Sequence, residues 1–262
     1  MGILNLTPDS FSGDGFYPDR QKALERAFLM EEEGADIIDV GAVSTRPGSL
    51  PVPEEEERKR LMPVLAEICA KIRIPVSVDT GKAKVAAEAL KAGATIINDI
   101  TAGGERRMLE LVAEEKAGLI LMHMQGTPAT MQDNPSYQDV ITEISRFLKE
   151  KIAEAKKSGV CEEQIVIDPG IGFGKTLAHN LTILKRLSEF AELSRPILVG
   201  VSRKGFIGKI TGLDVSERLE GTIAAVIAAY LSGSIIFRVH DVKAVKRALA
   251  IAEAIKNADP GN

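Results

Sequence analysis

At 262 residues, with a net charge near −4 and 45% apolar side chains, the chain is sized for one large globular domain. The slight acidity gives no general pull toward nucleic acid or anionic membranes. The two cysteines, Cys69 and Cys161, are far apart and form no CxxC pair, so they read as inert reduced thiols of a cytoplasmic protein.

Taken in chain order, short apolar runs end repeatedly on a polar side chain and a turn. Residues 1–6 are too short for a secretory leader, and Leu6 breaks the myristoylation pattern. GILNL opens at Gly2 and closes on Asn5. Nothing before it would plug the bottom of a barrel, so an N-terminal capping segment is expected to be missing. A long connection over residues 7–20 (TPDSFSGDGFYPDR) leads to a helix over 21–33, stopped by Gly34. ADIIDVG carries Asp39 and runs into a second long connection, AVSTRPGSLPV, over 42–52. Pro53 and four glutamates then open a helix reaching residue 72, since proline and acids are favoured in a first turn.

PVSVDT ends with Asp79, TIINDI holds Asn98 and Asp99, GLILMHM delivers His123 and QIVIDPG delivers Asp168. PILVGVSRK presents Ser202, Arg203 and Lys204, and IIFRVHD presents Arg238, His240 and Asp241. Gly93 and Gly159 mark further helix stops. Eight strand–helix units in this order predict a single-domain α/β fold, a closed parallel (β/α)8 TIM barrel. Every strand would deliver its polar end to one mouth. Residues 222–231, TIAAVIAAYL, are apolar all round but well short of the roughly 20 residues that span a membrane. Such a helix packs on the barrel and either is buried in the core or meets a second subunit with its other face.

The chemistry divides by ligand type. Arg238 and His240 alternate along the last strand and point the same way. With Asn5 and Arg46 they could hold a diphosphate and a metal on Asn5, although Arg238 could instead pair with Asp241. Asp79 and Asp168 end opposite strands, and with Asn98 they could accept hydrogen bonds from a planar ligand. Helix capping is the competing role for Asp79. The turn over 168–176 (DPGIGFGKT) is not a P-loop, because Pro169 stands where the first glycine belongs. Its worth lies in backbone flexibility, with Phe173 available to stack. Lys204 and Arg203 oppose a helix dipole at its start and so imply an anionic or carbonyl-bearing ligand. His123 is placed near the site and His179 at a helix start. No cluster has zinc-like spacing.

Eight motifs in order resemble the dihydropteroate synthases, folate-pathway enzymes targeted by sulfonamides. They are GILNLTPDSFS, STRPG, SVDT, INDI, LMHMQGTP, IDPGIGFGKT, SRKGFIG and RVHDV. The resemblance implies a transferase that joins a hydroxymethyl-dihydropterin diphosphate to 4-aminobenzoate. By residue it implies pterin contacts at Asp79, Asn98, Asp168, Phe173 and Lys204. It implies diphosphate contacts at Asn5, Thr45, Arg46, Arg238 and His240, with Mg2+ at Asn5. The aminobenzoate would meet Thr45, Pro47, Phe173, Arg203 and Gly205, and Asp79, Lys204 and Arg238 would be catalytic. A cytoplasmic homodimer through residues 216–231 is also expected, without nucleic-acid or membrane partners.

Two departures stand out. Ala42 and Val43 replace a glycine and glutamate usual before STRPG, and Gly205 replaces a serine whose hydroxyl meets the aminobenzoate carboxylate. Two other readings stay open: a pterin-binding paralogue without synthase activity, and a methyltetrahydrofolate-dependent corrinoid methyltransferase. The second would need no diphosphate site.

Overall fold

The computed structural model describes residues 1–7 and 15–258, so half of the first long connection lies outside the described residues. Strands and helices alternate throughout. They run β1 (Gly2–Asn5), α1 (Arg20–Glu32), β2 (Ile38–Gly41), α2 (Glu54–Lys71), β3 (Val76–Asp79), α3 (Ala83–Lys91), β4 (Ile96–Asp99) and α4 (Arg106–Glu115). They continue with β5 (Gly118–Met122), α5 (Val140–Lys157), β6 (Ile165–Asp168), α6 (Leu177–Lys185), β7 (Leu198–Val199), α7 (Gly205–Thr211), α8 (Leu219–Leu231), β8 (Ile236–Phe237) and α9 (Val242–Lys256).

β1 to β6 pair in sequence order as one parallel sheet, and β7 pairs with β8. Single parallel bridges join the two pieces at both edges, Ile167 to Ile197 and Gly2 to Val239. Hydrogen bonds reinforce the seam: Ile3 N–H donates to Val239 O at 2.9 Å and Val239 N–H to Met1 O at 2.9 Å. The strands therefore form a ring, and the expected TIM barrel stands. β7 and β8 are shorter than the pattern predicts, and Arg238 and His240 lie just beyond the strand that was to carry them. Their alternation survives because Val239 between them is buried and bridged to Gly2.

Local chemistry sets the helices. Asp19 and Asp139 cap α1 and α5 by accepting from Lys22 N–H and Thr142 N–H. Four glutamates fill the first turn of α2 after Pro53. α8 buries Thr222, Ala225, Val226 and Ala229, a stripe at helical spacing that lies on the barrel, and it packs beside α9. Leu231, Ile235, Ile251 and Ile255 stay exposed in this region. No described helix is long and apolar enough to cross a membrane.

Candidate active site

Register places the polar strand ends in one row. Asn5 pairs with Gly41, Gly41 with Asp79 and Asp79 with Asn98, so four neighbouring strands present these residues at the same height. A side chain at Gly41 would put its Cβ 3.3 Å from that of Asp79, and the missing atom leaves the carboxyl its room. Across the ring, Asp168 closes β6 in register with Met122.

Two joined cavities open above this row. The deep one, about 60 Å³, is lined by Asp79, Asn98, Asp168, Met122 and Ile171. The outer one, about 560 Å³, is lined by Asn5, Val43, Arg46, Pro47, Met131 and Gly205 among others. Thr45, Asp79, Phe173, Lys204, Arg238 and His240 line both. Asp79 and Asp168 thus share one chamber, as the barrel predicts for the third and sixth strands.

Arg238 organises the floor. Its Nε donates to Asp39 Oδ2 at 2.6 Å and its Nη2 to Asp79 Oδ2 at 2.9 Å. The alternative pairing with Asp241 does not occur, because Asp241 is taken by Arg203 through bonds of 2.9 and 2.5 Å. Arg203, expected at the aminobenzoate, is held here by Asp241. Its backbone is left-handed (φ 55°), and its guanidinium turns to Asp241 rather than lining either cavity. Adjacent Lys204 faces inward, its Nζ 4.1 Å from the centre of the Phe173 ring.

Electrostatics follow from burial. Loss of water pushes the Asp79 carboxyl up to about 7, with Asp39, Glu57 and Asp99 adding to the rise and Arg238 opposing it. Burial likewise brings the Lys204 ammonium down to about 8, and Arg238 adds to the fall while Asp168 and Asp79 resist it. Asp168 is also pushed upward by burial, against the hydrogen bond its Oδ1 accepts from Gly170 N–H at 2.7 Å. The site therefore keeps an acid and an amine close to the point of proton exchange near neutrality.

The glycine turn owes its glycines to close backbone approach rather than to the flexibility expected of it. A Cβ on Gly170 would lie 1.9 Å from His123 O, and one on Gly174 would lie 2.4 Å from Gln125 O, both at positive φ. Gly170→Ala is expected to lower unfolding stability by at least about 2 kcal/mol, through backbone strain and overpacking together. Urea unfolding checks this, and an unchanged midpoint would deny the close approach.

Several contacts escaped the sequence reading. Lys175, 2% exposed, places Nζ 3.0 Å from His123 Nδ1 and donates to Phe173 O at 2.9 Å, which fixes the aromatic ring's backbone. Burial holds Lys175 down to about 7 and His123 to about 3. His123 thus sits under the turn rather than lining the cavities, while His179 caps α6 with Thr176, the structural role expected of it. Ser202 Oγ accepts from His240 N–H at 3.1 Å and lies 2.9 Å from His240 Nδ1, orienting that ring. Gln132 lines the mouth and donates to Gly172 O at 3.0 Å, and Gly48 N–H of the second loop donates to Pro128 O at 2.8 Å.

A parallel barrel whose mouth gathers two acids, a lysine, an arginine and an aromatic ring defines a barrel enzyme with its site at the strand C-termini. The chain belongs to the pterin-binding enzyme family, which it matches over residues 1–240. It is 46% identical over 258 residues to dihydropteroate synthase of Escherichia coli K12, an alignment covering 98% of this chain and 92% of that one. It also resembles the Yersinia pestis dihydropteroate synthase solved with a sulfonamide drug complex, at TM-score 0.96 and 43% identity over 98% and 94% of the two chains. The Xanthomonas albilineans enzyme, solved with 4-aminobenzoic acid, aligns at TM-score 0.92 and 42% identity over 99% and 93%.

Proposed function

We propose that this chain is a dihydropteroate synthase, converting 6-hydroxymethyl-7,8-dihydropterin diphosphate and 4-aminobenzoate to 7,8-dihydropteroate and diphosphate. The observation that carries the reading is the two-chamber mouth. A narrow acid-lined pocket opens into a wide cavity bearing Arg238, His240, Arg46 and Asn5. The deep chamber suits a flat heterocycle: Asp168 and Asn98 accept from and donate to its polar edge, and Phe173 and Lys204 cover it. The outer chamber suits an anionic leaving group beside a small aromatic acid.

The reaction proceeds by loss of diphosphate. The carbon–oxygen bond breaks, its electron pair leaves with the diphosphate, and the pterin methylene becomes cationic. Ionised Asp79 stabilises that cation at short range in a water-poor pocket, and Arg238 and His240 hold the departing charge. The neutral arylamine attacks the methylene with its lone pair and loses a proton to solvent. Thr45 and Pro47 of the second loop hold the amine partner, which excludes water and prevents hydrolysis of the cation. Arg203, paired with Asp241 in this structure, would meet the aminobenzoate only by turning from that acid.

Mg2+ belongs to the proposal as a passenger of the substrate. Among the described residues no group of three or more His, Cys, Asp or Glu side chains could hold a metal. A lone amide oxygen at Asn5 fits an ion that keeps several waters and takes phosphate oxygens from its ligand. When bound, the ion would neutralise charge on the diphosphate. The exposed apolar residues near α8 and α9 support the expected homodimer through residues 216–231, and a cytoplasmic setting suits a folate-pathway enzyme with free thiols.

A coupled assay tests the reading: diphosphate release must depend on 4-aminobenzoate. The inactive paralogue would bind pterin and release nothing. The corrinoid methyltransferase reading is weakened by Asn5, Arg238 and His240 gathering on one cavity.

Gly205 supplies a second prediction. It opens α7 on the outer cavity, and a Cβ there would meet nothing within 4 Å. Gly205→Ser is therefore expected to tighten 4-aminobenzoate about fivefold, the worth of roughly 1 kcal/mol from one hydroxyl to a carboxylate, with no loss of folding. Calorimetric titration of both forms checks this. Equal affinities would remove the subsite from Gly205.

A further inference from the structure

We propose that Asp39 is a positioning residue for the reaction, holding Arg238 by its Nε so that the guanidinium meets the departing diphosphate. The inference rests on the synthase reading above and deepens it.

Asp39 sits mid-strand on β2, two residues before Gly41, so its side chain points the same way one layer lower. It is fully buried, where a carboxylate is costly unless paired. Its pairing is one-sided. Oδ2 takes both Arg238 Nε at 2.6 Å and Asn98 Nδ2 at 3.2 Å. Oδ1 is buried with no hydrogen-bond partner among the described residues. A carboxylate present only for packing would be better replaced by an apolar residue. What it achieves is geometric: it clamps one edge of a planar fork.

That edge carries Nε and Nη2, and the two acids take one nitrogen each. Nη1 has no carboxylate partner among the described residues, and Arg238 lines both cavities. With Asp39 in place, Arg238 is fixed at two points and can present its remaining donors to an anion without first being ordered. Without Asp39 the guanidinium has one anchor, Asp79, and is free to rotate about it. Asn98 is held through the same oxygen, so Asp39 also ties the pterin-facing amide to the diphosphate-facing arginine.

A cycle of Asp39→Asn, Arg238→Met and the double variant tests this, with turnover and the affinity for inorganic diphosphate plus Mg2+ measured on each. Asp39→Asn is expected to lower kcat about tenfold or more and weaken diphosphate, with KM for 4-aminobenzoate within about threefold of wild type. In the Arg238→Met background it should cost nothing further. Simple charge removal predicts the reverse, since deleting an acid beside an anion site tightens the anion. Tighter diphosphate with wild-type kcat, or equal losses in both backgrounds, would overturn the proposal. Should Asp39→Asn not fold, judged by its melting transition, Asp39→Ser is carried through the same cycle. If wild-type protein shows no aminobenzoate-dependent release, the synthase reading fails. The diphosphate affinities would still report whether Asp39 acts through Arg238.

Discussion

Asp79→Asn is expected to lower turnover on the order of 10²-fold or more while leaving the fold intact. Asparagine keeps the shape and one acceptor but removes the charge that faces the cationic methylene. Single-turnover kinetics should place the loss in the chemical step rather than in pterin binding. Turnover within tenfold of wild type would take Asp79 out of the central role. The pH dependence gives an independent sign. Burial raises the Asp79 carboxyl to about 7 in the ligand-free chain, and the ionised form is the useful one. Wild-type kcat/KM should therefore fall as pH drops below about 7, and that limb should flatten in Asp79→Asn.

The second large effect concerns Arg238. Arg238→Met keeps the apolar stem but removes the cation shared by Asp39 and Asp79. Turnover is expected to drop about 10²- to 10³-fold as support for the leaving group is lost. Stability should fall as well, by about 3–5 kcal/mol at neutral pH, because two buried carboxylates are left facing each other. The sign with pH is distinctive. Without the arginine the Asp79 carboxyl, already raised by burial, loses the cation that opposes the rise, so the penalty is largest at high pH and shrinks as pH falls and that acid takes a proton. Urea unfolding at two pH values measures it. A deficit independent of pH would mean that the two acids had found other partners.

Much of this site is legible in the sequence because barrel strands convert linear order into radial position. Once Asp79, Asn98 and Asp168 are read as strand ends, their convergence follows from the ring, and register places Asn5 in the same row. Arg203 shows where that logic stops. Ser202, Arg203 and Lys204 are consecutive, yet one left-handed backbone angle sends the middle side chain away to Asp241. No local pattern marks such a reversal at an arginine.

For Asp39 and Lys175 the pairings were hidden for another reason. Each is a charged residue whose partner is distant in sequence, 199 residues away for Asp39 and Arg238 and 52 for Lys175 and His123. The usable signal was the anomaly itself, an acid in a strand otherwise built for burial. Of the first long connection, residues 8–14 lie outside the described residues, while Asp19 at its end caps α1.

The two chambers differ in how much sequence change their walls tolerate. Gly170 and Gly174 belong to the turn that brings Ile171 and Phe173 to the deep chamber, and they are jammed against backbone oxygens that cannot retreat, so almost any replacement there damages the protein itself. On the outer side, Gly205 has open space around it and Pro47 is exposed. An inhibitor gripping only the outer wall thus faces a surface free to mutate away from it at small cost to folding. One anchored in the deep chamber leaves the organism few viable routes of escape.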